Sequence, residues 1–166
     1  MKKTKASSIA KGGILVALTI LILYMGNILK FNSMFLLCVA AALITLSILK
    51  IDIKTTILVY LASTVLSFFI IPDKTICVYY ALLFGPYGLI KLYIEKKNNA
   101  SIEIVFKLLY FNIVGFMMFF IFKTLFITSM EIKSSLLILL LMYNISCFIF
   151  DYVLTVFVNF SSKIKL

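Results

Sequence analysis

The feature that most constrains the fold is an uncharged stretch near the N-terminus. Residues 12–29 contain no Asp, Glu, Lys or Arg. As an α-helix this stretch would extend roughly 27 Å, close to the thickness of the hydrocarbon core of a bilayer. It is longer than the apolar part of a usual signal peptide, and no A-x-A-like cleavage site follows it. We therefore predict a permanent transmembrane helix over residues 9–29.

Five further apolar runs follow the first, separated by short segments with charged residues or proline. They cover residues 31–49, 55–71, 75–94, 104–122 and 136–158. The hydrophobic fraction is 64% and the mean hydropathy is +1.18, against an apolar content of roughly 45–50% in soluble domains. The sequence predicts an all-α fold, in which residues 1–166 form one polytopic integral membrane bundle of six transmembrane helices.

The lysines predict the orientation of this bundle. All 16 basic residues are lysines, and six crossings would place twelve of them on the side of the two termini. The four on the other side are Lys30, Lys74, Lys123 and Lys133. Because basic residues collect on the cytoplasmic side, we predict a multi-pass protein of the cell membrane with both termini cytoplasmic. The lysines flank apolar runs instead of forming a block, so the net charge of +10 indicates membrane lipid and not nucleic acid as the surroundings.

A Gly-Pro pair interrupts the fourth run. Gly85-Pro86-Tyr87-Gly88 predicts a kink, because proline has no N–H to donate to the carbonyl near Leu82. At membrane depth, another protein group or water must satisfy that carbonyl.

Few residues are suited to catalysis or metal binding. The chain contains no His, and its three cysteines are far apart in sequence, without metal-ligand spacing. Five of the six carboxylates fall in links or at helix ends, namely Asp52, Asp73, Glu95, Glu103 and Glu131. No two of the acidic residues share a helix face at i, i+3 or i+4. We therefore predict no catalytic site, no metal and no cofactor.

Asp151 is the sixth carboxylate and lies inside the last run. An unpaired charge there costs on the order of 2.5–3.5 kcal/mol. Asn144 and Cys147 share its helix face, so that face is predicted to point into the bundle. Asp151 has two interpretations: a structural hydrogen bond or ion pair, with Lys107 as a candidate partner, or a proton or ion relay.

Polar and tyrosine side chains gather toward the predicted outer ends of the helices. Amides, tyrosines and one charged pair around an apolar bundle are typical of a site that orients a small molecule, although tyrosines also collect at membrane interfaces. The candidate solute-binding residues are Asn27, Asn32, Asp73, Lys74, Tyr79, Tyr80 and Asn144.

The first helix also carries a stripe of small residues. Ala6, Ala10, Gly13 and Ala17 follow one another at spacings of four, three and four, so they share one face. Small residues let a second helix approach closely in the membrane.

Six short apolar helices with both ends inside, together with this stripe, resemble the substrate-binding S component of energy-coupling factor (ECF) transporters. The resemblance implies that the small-residue stripe docks on a transmembrane coupling subunit, with glycine in place of one alanine. It also implies an outer solute pocket near the link between the first two helices.

The resemblance further implies a vitamin or similar small molecule as solute, since nickel- and cobalt-type members use an N-terminal His that this chain lacks. No GxxxxGK[ST] sequence is present, so ATPase subunits would supply the energy. The alternative is a non-catalytic membrane scaffold or cell-envelope assembly factor, which needs helix-packing faces and no pocket.

Overall fold

The computed structural model describes residues 5–95, 100–125 and 136–163, which are helical apart from short links. The predicted links around residues 96–99 and 126–135, including Glu131 and Lys133, lie outside the described residues. The elements in chain order are α1 (Lys5–Ile28), a 3-10 turn (Lys30–Asn32), α2 (Ser33–Lys50), α3 (Ile53–Ile70), α4 (Lys74–Tyr79), a π-helical turn (Tyr80–Phe84), α5 (Gly85–Glu95), α6 (Ala100–Leu125) and α7 (Leu136–Lys163).

Six helical stretches are long and apolar enough to cross a membrane, and the described ranges contain no strand. The fourth is continuous from Lys74 to Glu95 and consists of α4, the π-helical turn and α5. The prediction of an all-helical fold with six such helices is confirmed for the part of the chain that the structure describes. These helices indicate a multi-pass membrane protein.

The last two helices are longer than the apolar runs from which they were predicted. α6 begins four residues before the predicted 104–122 segment, and α7 continues to Lys163, beyond the predicted 136–158. Hydropathy marks the stretch that suits lipid, whereas helical hydrogen bonding continues into polar flanking residues.

α1 packs against α2 and α3 through residues that do not belong to the predicted stripe. A Cβ on Gly12 would lie 3.1 Å from a methyl of Thr55 and 3.2 Å from one of Val59, so the glycine permits a close approach to α3. Thr19 and Leu23 are fully buried on the same side of the helix. The face of α1 that enters the bundle is therefore already in contact with its own chain.

The turn between α3 and α4 is held by its charged residues. The side chain of Asp73 accepts a hydrogen bond from the backbone N–H of Thr75 at 2.9 Å and so caps α4. Lys74 Nζ donates to the carbonyls of Phe68 at 2.6 Å and Ile71 at 2.8 Å, at the end of α3. Both side chains thus satisfy backbone groups that a helix end leaves free.

The core is aromatic where α5, α6 and α7 meet. The ring of Tyr87 stacks on Phe111 with centroids 5.0 Å apart and lies 5.3 Å from Phe150. Phe150 also packs edge-on against Phe84 at 4.8 Å. These contacts connect the C-terminal half of the fourth helix to α6 and α7.

Candidate functional site

Asn27 and Asp73 meet at the end of the bundle that the lysine pattern predicts to be external. The backbone N–H of Asp73 donates to Asn27 Oδ1 at 3.3 Å, which links the end of α1 to the turn before α4. The Asp73 and Lys74 side chains bond to the helix ends on either side of this turn. These three predicted residues are neighbours, and their polar atoms contact protein.

The other predicted outer residues lie in separate surroundings. Asn32 is exposed in the 3-10 turn. Tyr79 packs against Phe122 of α6 with ring centroids 5.5 Å apart. Tyr80 is fully buried, and its hydroxyl is 2.7 Å from the hydroxyl of Ser63.

Asn144 forms a polar pair with Asn112 between α7 and α6. Asn112 Nδ2 donates to Asn144 Oδ1 at 3.2 Å, and Asn144 Nδ2 donates in return at 3.5 Å. The described hydrogen bonds therefore join two of the seven predicted solute-binding residues, Asn27 and Asp73, and give Asn144 a different partner.

The π-helical turn in the fourth helix frees one backbone carbonyl. The N–H of Gly85 donates to the carbonyl of Tyr80, five residues earlier, and not to that of Ala81. The hydroxyl of Tyr60, on α3, donates to the Ala81 carbonyl at 2.7 Å. A Cβ on Gly85 would lie 2.6 Å from the Tyr60 ring, so glycine is needed for this contact.

Pro86 frees the next carbonyl, as the sequence predicts. The Leu82 carbonyl would accept from the missing N–H of Pro86, and it accepts instead from the hydroxyl of Tyr110 on α6 at 2.9 Å. Each carbonyl freed at the break is thus satisfied by one tyrosine hydroxyl from a neighbouring helix.

The other end of the fourth helix carries a closed ring of ion pairs. Lys91 and Lys107 each contact both Asp151 and Glu95. Lys107 Nζ is 2.8 Å from Asp151 Oδ2 and 3.3 Å from Glu95 Oε1. Lys91 Nζ is 2.7 Å from Glu95 Oε1 and also pairs with Asp151 Oδ1. We call these four residues the ion-pair ring. The predicted pairing of Lys107 with Asp151 is confirmed.

Three more side chains bond to members of the ion-pair ring. Glu103 Oε1 lies 2.5 Å from Lys107 Nζ. The hydroxyl of Tyr87 donates a hydrogen bond to Asp151 Oδ1 at 2.6 Å. Lys91 Nζ donates one to the hydroxyl of Thr155 at 2.7 Å. The Lys91 side chain is fully buried and that of Lys107 is 5% exposed. Buried charges are tolerable only when paired and hydrogen-bonded, and the ring meets this requirement.

The sequence contains a signal for the ring that our prediction did not use. Lys91 and Glu95 are four residues apart, as are Glu103 and Lys107, and such pairs are neighbours on a helix. Our prediction placed Glu95 in a link or at a helix end and did not pair it with Lys91. Tyr87 carried no signal, because its pairing with Asp151 depends on how α5 and α7 pack.

The small-residue stripe of α1 faces away from the bundle. Ala6, Ala10, Gly13 and Ala17 are all exposed. Apart from adjacent residues and nearby backbone of α1 itself, no described heavy atom lies within 4 Å of a Cβ built on Gly13, in contrast to Gly12. The described part of the chain therefore leaves this close-approach face of α1 uncovered.

Among the described residues, no group of three or more His, Cys, Asp and Glu side chains could hold a metal ion. Comparisons with family models, with curated proteins and with solved structures find no match to this chain. Over the described residues, the fold and these sites indicate a class: a helical multi-pass membrane protein with a buried ion-pair ring and a small-residue face of α1 that is uncovered.

Proposed function

We propose that this protein is the membrane-embedded solute-binding subunit of an ECF-type uptake transporter for a vitamin or similar small molecule. The observation that carries the proposal is the exposed stripe of small residues on α1. The protein would lie in the cell membrane with both termini cytoplasmic. It would bind its solute without covalent chemistry.

The stripe suits a docking surface because lipid gives helices no hydrophobic drive to associate. Association in the membrane depends on close van der Waals contact, which small residues permit. α1 uses Gly12 for such a contact within the chain, whereas a Cβ built on Gly13 would meet no atom of another described element within 4 Å. We propose that a helix of a transmembrane coupling subunit, driven by ATPase subunits, covers Gly13 and the three alanines.

The solute would bind at the end of the bundle that carries Asn27 and Asp73. A 3.3 Å hydrogen bond joins these residues, one at the end of α1 and the other just before α4, and a polar solute could replace it with hydrogen bonds of its own. Asn32, exposed in the nearby 3-10 turn, would supply a further amide.

A second candidate function, a non-catalytic membrane scaffold, is favoured by the same outer residues. Asp73, Lys74 and Asn144 direct their polar atoms at protein groups. Such contacts are also what a bundle without a solute site would contain. Both functions use the α1 face, and only the transporter predicts a retained solute and ATPase partners.

The docking proposal is tested by co-expressing the tagged protein with a coupling subunit and its ATPases and measuring their recovery. Ala10→Leu and Gly13→Leu should lower the recovered coupling subunit at least about tenfold, because a leucine separates the two backbones. Ala62→Leu, on the exposed face of α3, is the matched control and should leave recovery unchanged. Full recovery with both stripe variants would refute the proposal. Mass spectrometry of a small molecule retained by the purified protein then separates transporter from scaffold.

The orientation is tested separately with a reporter fused after Leu166. We expect the activity of a cytoplasmic reporter, because the lysine-rich side of the bundle faces inward. A fusion that is active only on the exterior would contradict both the orientation and the outer solute site.

A further inference from the structure

The two halves of the fourth helix are anchored by different kinds of contact. The inner half, α5, ends in the ion-pair ring, where Lys91 and Glu95 pair with charged groups of α6 and α7. Its ring contacts are charged, largely buried and mutually satisfied, and such contacts are among the costliest to break one at a time. α5 is therefore fixed to the last two helices.

The outer half, α4, has neutral or partly exposed anchors. The backbone N–H of Asp73 donates a hydrogen bond to Asn27 Oδ1 at 3.3 Å. The Lys74 ammonium donates to two carbonyls at the end of α3, one in an exposed and one in a partly buried position. The side chain of Cys77 donates a weak hydrogen bond to the Ser67 carbonyl at 3.3 Å. Apolar packing provides the rest: Ile76 and Cys77 belong to the hydrophobic core, and Val78 is also buried.

The regular helical hydrogen bonds are interrupted between the two halves. At the π-helical turn, the N–H of Gly85 bonds five residues back, to the carbonyl of Tyr80, instead of four. At Pro86 the helical hydrogen bond is missing, because proline has no N–H. The freed carbonyls of Ala81 and Leu82 bond to Tyr60 and Tyr110, which belong to other helices. Proline and π-helical turns are the places where helices kink, because the regular hydrogen bonds along the helix are interrupted there.

We propose that α4 is a lid, hinged at the π-helical turn, that opens the interior of the bundle at the end carrying Asp73. The Tyr60 and Tyr110 hydroxyls hold the lid closed, and the ion-pair ring holds α5 still while α4 moves. The lid would admit a solute and in this sense rests on the function proposed above. Its test involves no coupling subunit, so the two proposals can fail separately.

Three native cysteines allow the lid to be tested in the intact protein. Cys77 lies on the lid and is fully buried, whereas Cys147, on α7, is 3% exposed and lies outside the lid. Cys38 is partly exposed and serves as a labelling control. The purified protein in lipid nanodiscs is treated with N-ethylmaleimide, and labelling of each cysteine over time is measured by mass spectrometry. We expect Cys77 to be labelled several times faster than Cys147 despite its equal or greater burial.

Two kinds of substitution should move the rate for Cys77 in opposite directions. Tyr60→Phe removes the hydroxyl that holds Ala81 and should raise the Cys77 rate about three- to tenfold, as the loss of one hydrogen bond implies. Pro86→Ala returns an N–H to the Leu82 carbonyl and should lower the Cys77 rate below that of the wild type. The Cys147 rate should stay constant in both variants.

A merely structural break would give other results. If Tyr60→Phe raises the Cys77 and Cys147 rates together, the tyrosine stabilises the whole bundle and the lid is refuted. Equal rates for Cys77 and Cys147 in the wild type and in both variants would refute it as well. A variant that fails to fold is identified by rapid labelling of all three cysteines, and the comparison within the wild type still decides.

Discussion

Asp151→Asn removes the carboxylate charge that Lys91 and Lys107 share. In the wild type, Lys107 Nζ lies 2.8 Å from Asp151 Oδ2, and Lys91 pairs with Oδ1. The amide keeps the shape of the side chain but turns one of its two acceptors into a donor, which faces an ammonium group. Both lysines remain buried and retain contacts to Glu95, whose side chain is 28% exposed.

The expected loss of stability is about 3 kcal/mol. Removing one partner of a buried ion pair costs roughly 3–5 kcal/mol, and the remaining contacts with Glu95 place the substitution at the lower end of this range. Glu103→Gln is the matched control. Glu103 contacts Lys107 at 2.5 Å, but its side chain is 29% exposed, so this change should cost only about 0–1 kcal/mol.

SDS-induced unfolding of the protein in mixed micelles, followed by circular dichroism, measures both free energies of unfolding. A double variant adds a sharper test, since Lys107→Met in the Asp151→Asn background removes one of the two buried ammonium groups that have lost the Asp151 carboxylate. It should recover part of the lost stability, so the two substitutions should be less than additive. The reasoning is refuted if Asp151→Asn costs no more than Glu103→Gln, or if the double variant shows the full sum.

Two further predictions concern the glycines. Gly12→Leu should lower the unfolding free energy by about 1–3 kcal/mol, because the new Cβ would lie 3.1 Å from a methyl of Thr55. Gly13→Leu places its side chain in open space and should leave the unfolding free energy of the isolated protein unchanged. Gly88→Ala should also lose about 1–3 kcal/mol in the same unfolding assay, because the new methyl would lie 2.5 Å from the Thr45 hydroxyl oxygen. Equal unfolding free energies for the Gly12 and Gly13 variants, or a neutral Gly88→Ala, would contradict the packing.

The sequence predicts an unsatisfied backbone carbonyl correctly where the covalent structure of a residue causes it. Pro86 has no N–H whatever surrounds it, so the free carbonyl of Leu82 followed from the sequence. Which group satisfies that carbonyl did not follow, because Tyr110 is distant in sequence and reaches it only through the packing of α6 on the fourth helix.

The candidate solute site was predictable only in part. Asn27 and Asp73 are brought together because their helices end at the same level of the bundle, and this follows from counting crossings. Asn144 bonds instead to Asn112 on the adjacent helix. The rotation of each helix about its axis decides such partners, and the hydrophobic pattern of a membrane helix specifies that rotation poorly, because both lipid and core are apolar.

The sequence by itself determined the number of apolar helices and the presence of a small-residue stripe on the first of them, because hydropathy and residue spacing depend only on neighbours along the chain. Tertiary structure alone decided that this stripe faces outward while Gly12 faces α3, and that two lysines on different helices share Asp151. The physical reason is that contacts between helices depend on the orientation of each helix within the bundle. That orientation is determined jointly by residues that are far apart in the chain.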